Sequence, residues 1–312
     1  MNDETMTEIE GRIAERKSAR RNFLQTAGVA AVGVAAATLL TQTDANAQRG
    51  GLDPAVLNFA LNLEYLEAEY YLKAIGESLA GRGIGIDGIA TGANSPAGSA
   101  VVYPDTAQVT FTTPLIETYA REIADDEAKH VAFLRTALGA ARVARPAINL
   151  NQSFKAVVPG FDPFASENAF LLGAFVFEDV GVTAYQGGAR LIANKDLLEA
   201  AAGILAVEAY HAGEVRTVLA SRGETLLIPG NANTRIFDLV QAISDARDSV
   251  NPGVDKDQGI GTSATTVNIV PTDANSITYS RSTREVLNIV YLASGTPTSG
   301  GFFPNGMNGL IR

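Results

Sequence analysis

The sequence contains no cysteine and no tryptophan, and only two histidines among its 312 residues. Without cysteine the chain can form no disulfide, thiolate metal site, iron–sulfur cluster or cysteine nucleophile. A cysteine-free chain is also suited to an oxidising compartment, where no thiol can be mis-oxidised. Any chemistry that requires an imidazole must therefore use His130 or His211.

Positive charge is scarce, and the net charge is −10 at neutral pH. Nucleic-acid binding needs clustered lysine and arginine, so this balance speaks against a nucleic-acid partner. Long apolar runs are also missing: the stretch 27–40 covers 14 residues, below the roughly 20 needed to span a bilayer. The sequence therefore predicts no permanent membrane anchor.

Residues 20–47 have the layout of an export signal. Arg20 and Arg21 precede the apolar stretch 27–40, and Ala45 and Ala47 have the small-x-small spacing of a cleavage site. This order predicts a twin-arginine signal peptide over 1–47, cleavage after Ala47 and a periplasmic or secreted protein. Because this route exports folded proteins, it favours a cofactor acquired before export. The alternative is an ordinary N-terminal helix behind a basic patch.

Four long segments with helical periodicity follow the signal. The pairs Asp53-Pro54 and Thr113-Pro114 read as an N-cap followed by a proline at the first helical position. The predicted helices cover 54–77, 114–139, 167–193 and 196–221. We expect them to form an all-α four-helix bundle over 48–222. Two irregular connections separate them: 81–112, with short strands at 101–103 and 109–112, and 142–165.

The remaining residues, 223–312, are rich in Asn, Thr, Ser and Gly. Helices are predicted at 234–247 and 283–293, the second opened by Ser282 and Glu285 in capping-box spacing. Two short helices bury little apolar surface alone. We therefore expect this segment to be a C-terminal extension packed on the bundle.

An internal repeat relates the second and fourth predicted helices. Segments 123–138 and 204–219 share seven of sixteen residues, including Glu127 with His130 and Glu208 with His211. Residues three apart lie on one face of a helix, so each glutamate lies beside its histidine.

The first and third helices repeat a different pair. Glu64 is followed seven residues later by Tyr71, and Glu178 seven residues later by Tyr185. Two helical turns separate the members of each pair, so tyrosine and glutamate share a face. The two tyrosines are predicted either as core aromatics or as hydrogen-bond donors that orient the glutamates and take part in the chemistry.

The glutamates interrupt an otherwise apolar stripe on each of the four helices. Isolated buried carboxylates cannot remain ionised, so they must be protonated, leave the core or share a multivalent cation. Two divalent ions would neutralise four carboxylates, and an oxygen and imidazole donor set suits iron or manganese. The predicted ligands of two Fe or Mn ions are Glu64, Glu127, His130, Glu178, Glu208 and His211.

Three further residues are ambiguous from sequence. Glu67 lies one turn beyond Glu64 and fits an additional ligand, a proton-transfer carboxylate or a residue at the bundle edge. The edge is favoured, because the matching position of the third helix is Gly181. Arg135 and Arg216 lie away from the apolar stripe and are predicted to form surface ion pairs.

These motifs resemble a known family. The segments 61–71, 127–130 and 208–211, with the tail segments 286–291 and 301–306, are similar to ferritin-like proteins of the desiccation-related and stress-response type. The arrangement of one glutamate on each of two helices and Glu-x-x-His on the other two is typical of ferritin-like di-metal bundles. The resemblance implies that Glu127 and Glu208 bridge two metals, that Glu64 and Glu178 are terminal ligands, and that each histidine binds one metal. The long connection 81–112 and the tail speak against a hollow storage cage.

The expected activity is redox handling of O₂ or peroxide in stress protection. Disproportionation of peroxide needs no external electron donor, which favours a catalase-like reaction in a chain without cysteine. Two alternatives remain: a metal-sequestering protein without turnover, and a structural stress-response protein. The sequence leaves a homo-oligomer open.

Overall fold

Four long helices form the core of the structure, a computed structural model that describes residues 51–89, 97–106, 108–227, 234–253 and 255–312. They are α1 (Asp53–Ala74), α2 (Pro114–Leu138), α4 (Glu167–Ala189) and α5 (Lys195–Ser221). Helix α1 packs along α2, α4 packs along α5, and the two pairs meet through α1 and α4. The predicted all-α fold is confirmed. The predicted signal peptide, 1–47, lies outside the described residues.

Local sequence accounts for most of the helix ends. Pro54 and Pro114 occupy the first turns of α1 and α2, where a missing N–H costs nothing. The side chain of Ser166 accepts a hydrogen bond from Ala169 N at the start of α4, and that of Asn194 caps α5. Gly139, with φ of 52°, follows the last residue of α2.

The sequence predicted Asp53 as the N-cap of α1, but Asp53 does not cap this helix. Leu52 occupies the cap position and makes no side-chain cap hydrogen bond. The Asp53 carboxylate instead accepts hydrogen bonds from the N–H groups of Ala193 and Asn194, at 2.8 and 2.9 Å. It thereby holds the turn between α4 and α5, which begins four residues earlier than predicted because α4 ends at Ala189.

The two irregular connections lie side by side. Strand β1 (Val101–Val102), in the first connection, pairs in parallel with β2 (Ile148–Asn149), in the second. The second connection also holds the short helix α3 (Gln152–Val157). The strand predicted at 109–112 does not form. A backbone hydrogen bond from Val109 N to Ala74 O attaches this part of the chain to the end of α1.

The C-terminal segment lies against the α4 side of the bundle. It contains α6 (Ile236–Ser249) and α7 (Thr283–Val290), both in contact with α4. The two-stranded pairs are β3 (Leu226–Leu227) with β4 (Thr234–Arg235), and β5 (Gly261–Ser263) with β6 (Thr266–Val267). The predicted capping box of Ser282 and Glu285 opens α7. Phe302 packs edge-on against Phe154 of α3 and Phe177 of α4.

A buried ionic network joins this segment to the bundle and corrects the surface position expected for Arg216. The Arg216 side chain is fully buried, because residues 258–269 cover that face of α5. Its guanidinium pairs with Asp179 at 2.7 Å and donates to the carbonyls of Gln258, Gly259, Asn268 and Ile269. Arg247 of α6 contacts the same carboxylate at 3.2 Å.

Within the part of the chain that the structure describes, no helix combines the length and apolar character required to cross a membrane.

Candidate metal centre

All six predicted ligands meet in the middle of the bundle. Helix α1 contributes one glutamate, α4 another, and α2 and α5 one glutamate and one histidine each. These residues are between 0 % and 8 % exposed, so the cluster is buried. These residues are Glu64, Glu127, His130, Glu178, Glu208 and His211.

The cluster divides into two groups that share one residue. In the first, the candidate ligand atoms of Glu64, Glu127, His130 and Glu208 all lie within 4.8 Å of one another. In the second, those of Glu127, Glu178 and His211 do so. Glu127 therefore lies between two potential cation positions. Glu208 belongs only to the first group, although the resemblance implied that it would serve both positions.

Both histidines direct the Nδ1 atom toward the carboxylates. His130 Nδ1 is 3.1 Å from Glu64 Oε2, 3.6 Å from Glu127 Oε2 and 3.7 Å from Glu208 Oε1. His211 Nδ1 is 3.1 Å from Glu127 Oε1 and 3.6 Å from Glu178 Oε2. Each imidazole thus presents the same nitrogen to its own group.

Asp126 is a neighbour of the site that sequence reasoning missed. Its Oδ2 lies 3.3 Å from Nε2 of His211, the nitrogen on the far side of the ring. A carboxylate in this position fixes the tautomer and orientation of a metal-binding histidine. Asp126 precedes Glu127 directly, and the repeat has Val207 at the equivalent place, so the pattern of repeated residues could not reveal it.

The two tyrosines form crossed hydrogen bonds between α1 and α4. Tyr71 of α1 donates to Glu178 Oε1 of α4, and Tyr185 of α4 donates to Glu64 Oε1 of α1. Each tyrosine therefore orients the glutamate of the opposite helix rather than that of its own. Burial and the nearby glutamates raise the pKa of both hydroxyls, which keeps them as donors.

The sequence favoured a position at the bundle edge for Glu67, and this prediction is wrong. Its side chain is buried, 4 % exposed, next to the cluster. Gly181, the matching residue of α4, makes this burial possible because it has no side chain. A Cβ atom on Gly181 would overlap Glu208 Oε2 and lie 3.3 Å from Glu67 Oε1. The two carboxyl groups occupy the space that the glycine leaves free.

The cluster contains more carboxyl groups than its two histidines can neutralise, and this raises the pKa values of several glutamates. Burial raises the pKa of Glu64 to about 7, and it also raises the pKa of Glu178. For Glu208 and Glu67, burial and the negative charges of the other glutamates raise the pKa well above the usual range. In all four residues these effects shift the equilibrium toward the protonated carboxyl when the protein alone supplies the surroundings.

Glu127 and the histidines respond in the opposite direction. Burial opposes ionisation of Glu127, but the nearby positive charges of His130 and His211 outweigh it and lower the pKa of Glu127. Burial likewise disfavours the charged imidazoles, yet Glu64 and Glu127 raise the pKa of His130 to about 12. Asp126 and Glu127 raise that of His211.

The residues present fit a pair of metal ions. Both oxygens of Glu127, both oxygens of Glu208 and Oε2 of Glu178 are buried, and the described residues provide them with no hydrogen-bond partner. Buried anionic oxygens without donors are expected where carboxylates coordinate metals. Carboxylate and imidazole donors suit iron and manganese. The donor set and its unsatisfied oxygens thus indicate metal binding.

The chain belongs to the ferritin-like domain family, whose model matches residues 52–221. Two relatives are similar over most of their length. The ferritin-like catalase Nec2 of Nesocodon mauritianus is 27 % identical over 84 % of this chain and 86 % of its own. The desiccation-related protein PCC13-62 of Craterostigma plantagineum is 27 % identical over 82 % of this chain and 83 % of its own. No solved structure gives a significant match. The resemblance to the desiccation-related ferritin-like family is thereby confirmed.

Proposed function

We propose that this protein is an exported di-metal carboxylate protein that disproportionates peroxide. The observation that carries the proposal is the pair of buried ligand groups with Glu127 in common. One shared carboxylate between two groups is the arrangement expected for two neighbouring metal ions. A relative named as a ferritin-like catalase, similar over 84 % of this chain, supports peroxide as the substrate.

The six residues divide between the two ions. Glu64 and His130 would hold one ion, Glu178 and His211 the other, and Glu127 would bind both, with Glu208 beside the first group. The ions are iron or manganese, and when bound they supply the two-electron redox change that peroxide disproportionation requires. The chain has no cysteine to deliver electrons, which favours a reaction that consumes peroxide as both oxidant and reductant.

The surrounding residues prepare the site. Tyr71 and Tyr185 fix the carboxyl groups of Glu178 and Glu64 by hydrogen bonds, and Asp126 fixes the ring of His211. Burial of the ligands excludes bulk water, which strengthens each electrostatic interaction at the centre. The protein thus supplies a dry, oriented ligand set.

Metal content and oxygen release test the proposal together. Protein from cells grown with iron or manganese is analysed for metals, and O₂ release from hydrogen peroxide is followed with an electrode. We expect two metal ions per chain and O₂ release that Glu127→Gln abolishes. Glu117→Gln, at an exposed position of the same helix, is the matched control. Bound metal without O₂ release would refute the catalase-like reaction and indicate metal sequestration. Absence of bound metal would refute the centre and leave a structural stress-response protein.

A further inference from the structure

Glu67 is a buried carboxylate that neither ligand group includes. We infer that it is a further metal ligand, a fifth carboxylate directed at the cation that Glu208 binds. This inference rests on the metal centre of the proposed function. It adds an anionic ligand on the side of α1 and α4, where the repeat of four glutamates and two histidines gives no reason to expect one.

The geometry places the Glu67 carboxyl beside that of Glu208. Both approach the backbone of α4 at Gly181, where a Cβ atom would overlap Glu208 Oε2 and lie 3.3 Å from Glu67 Oε1. A side chain at this position would separate the two carboxyl groups or expel one of them. Glycine therefore permits both groups to reach the same space.

The cavity beside Glu67 offers no compensation for a negative charge. It has a volume of about 20 Å³, and apart from Glu67 its wall is apolar, including Leu63, Val180, Ile289 and Phe302. Such a cavity holds about one water molecule at most. In the described residues Glu67 has no ion pair, and its Oε2 has no hydrogen-bond partner.

A second buried glutamate on the same helix shows how the fold normally satisfies such a group. Glu69 is 3 % exposed, but its carboxylate pairs with Arg145 and accepts a hydrogen bond from the Tyr103 hydroxyl at 2.6 Å. Buried carboxylates are either paired in this way or coordinate metals. Glu67 lacks a pairing partner among the described residues and lies beside the ligand cluster, so coordination is the way left to satisfy its ionised form.

The internal repeat has the additional glutamate in only one of its two halves. Glu64 and Glu178 correspond to each other, and three residues beyond them lie Glu67 on α1 and Gly181 on α4. Only one helix of the pair therefore carries the additional carboxylate. The two metal positions become unequal in charge, and the ion beside Glu208 receives the extra anionic ligand.

The variant Glu67→Gln tests whether Glu67 binds the metal or is only a buried residue beside the site. Glutamine keeps the shape and most of the hydrogen-bonding capacity of glutamate, but it is a much weaker metal ligand. The full chain is freed of metal with a chelator and titrated with Mn²⁺ by calorimetry, and Co²⁺ replaces it for absorption spectra. We expect the variant to bind Mn²⁺ at least about tenfold more weakly at one position, with an altered Co²⁺ spectrum. Without metal, its melting temperature should exceed that of the unmodified chain, because one carboxyl has left the acidic cluster.

Two further variants keep the experiment decisive. Glu67→Asp retains the charge but withdraws it by one methylene, so it should weaken Mn²⁺ binding without raising the melting temperature. Glu69→Gln is the matched control: it should lower the melting temperature and leave the Co²⁺ spectrum unchanged. Mn²⁺ affinity and Co²⁺ spectra of both Glu67 variants equal to those of the unmodified chain would overturn the inference and leave the six-residue centre intact. An unmodified chain that binds no metal would instead refute the centre itself.

Discussion

Tyr185 on α4 donates a hydrogen bond to Glu64 on α1, 121 positions earlier in the chain. The bond joins the two helix pairs of the bundle at the candidate metal centre, and Tyr71 makes the reciprocal bond to Glu178. A phenol that orients a ligand carboxylate affects both metal affinity and packing. The crossed bonds therefore connect the stability of the bundle to the geometry of the site.

Removing one of these hydroxyls should weaken both properties. In Tyr185→Phe, Oε1 of Glu64 loses its donor in a buried place, which costs about 1–3 kcal/mol of unfolding free energy. Metal affinity should fall by about tenfold, as for other groups that orient ligands. Urea unfolding and Mn²⁺ titration measure the two effects. Tyr210→Phe, at a residue 75 % exposed on α5, is the control and should change neither.

Glu127 and Glu178 should differ in the number of metal ions lost. Glu127 belongs to both ligand groups, whereas Glu178 belongs to one. We expect Glu127→Gln to abolish binding at both positions, and Glu178→Gln to leave about one of the two ions bound. Elemental analysis after dialysis gives the stoichiometry. Equal losses in the two variants would contradict the shared role of Glu127.

Acid should destabilise the start of α4 through Glu167. The carboxylate accepts hydrogen bonds from the N–H groups of Thr112 and Thr113, at 2.9 and 3.0 Å, and pairs with Arg222 at 2.7 Å. Although burial opposes ionisation, these contacts lower the pKa of Glu167 from 4.5 to about 2. Its contribution is therefore complete above the unfolded pKa and lost as the pH falls from about 4.5 to about 2.

Glu167→Gln should remove this contribution at neutral pH. We expect a loss of about 1–2 kcal/mol at pH 7, and a smaller difference from the unmodified chain at pH 3. Urea unfolding at several pH values measures it. A difference that stays constant over this range would show that the charge of Glu167 does not stabilise the fold.

The buried ionic network should make Arg216 important for folding. Arg216→Met leaves Asp179 with one fewer partner and four carbonyl groups without their donor. Breaking a buried pair from one side costs about 3–5 kcal/mol. Thermal and urea unfolding should show this loss. Arg121→Met, which removes an exposed pair on α2, should change stability by no more than about 0.5 kcal/mol.

Export depends on a sequence signal and can be tested separately. Replacing Arg20 and Arg21 by lysine should retain the protein in the cytoplasm of a bacterium that has the twin-arginine system. Cell fractionation and immunoblotting locate the protein, and mass spectrometry of the exported form should show an N-terminus at Gln48. Export of the double variant at the normal level would refute the proposed route.

Helical periodicity makes much of the architecture readable from the chain. Spacings of three and seven residues place Glu127 beside His130 and Tyr71 on the face of Glu64, because a helix fixes these relations locally. Capping signals place the helix starts, including that of α7 at Ser282. These features depend on neighbours within two turns, so the sequence alone determined the helices and the face that carries the candidate ligands.

The relations between helices were decided only by the tertiary structure. Sequence spacing could not show that Tyr185 bonds to Glu64 rather than remaining with Glu178, since that choice depends on how α1 and α4 cross. Sequence spacing predicted Glu67 at the bundle edge, but Gly181 leaves space for its buried carboxyl group. It predicted Arg216 on the surface, but residues 258–269 cover its side chain. Burial and charge pairing depend on residues far apart in the chain. Periodicity within one helix determines which way a side chain faces, and only packing determines what it meets there.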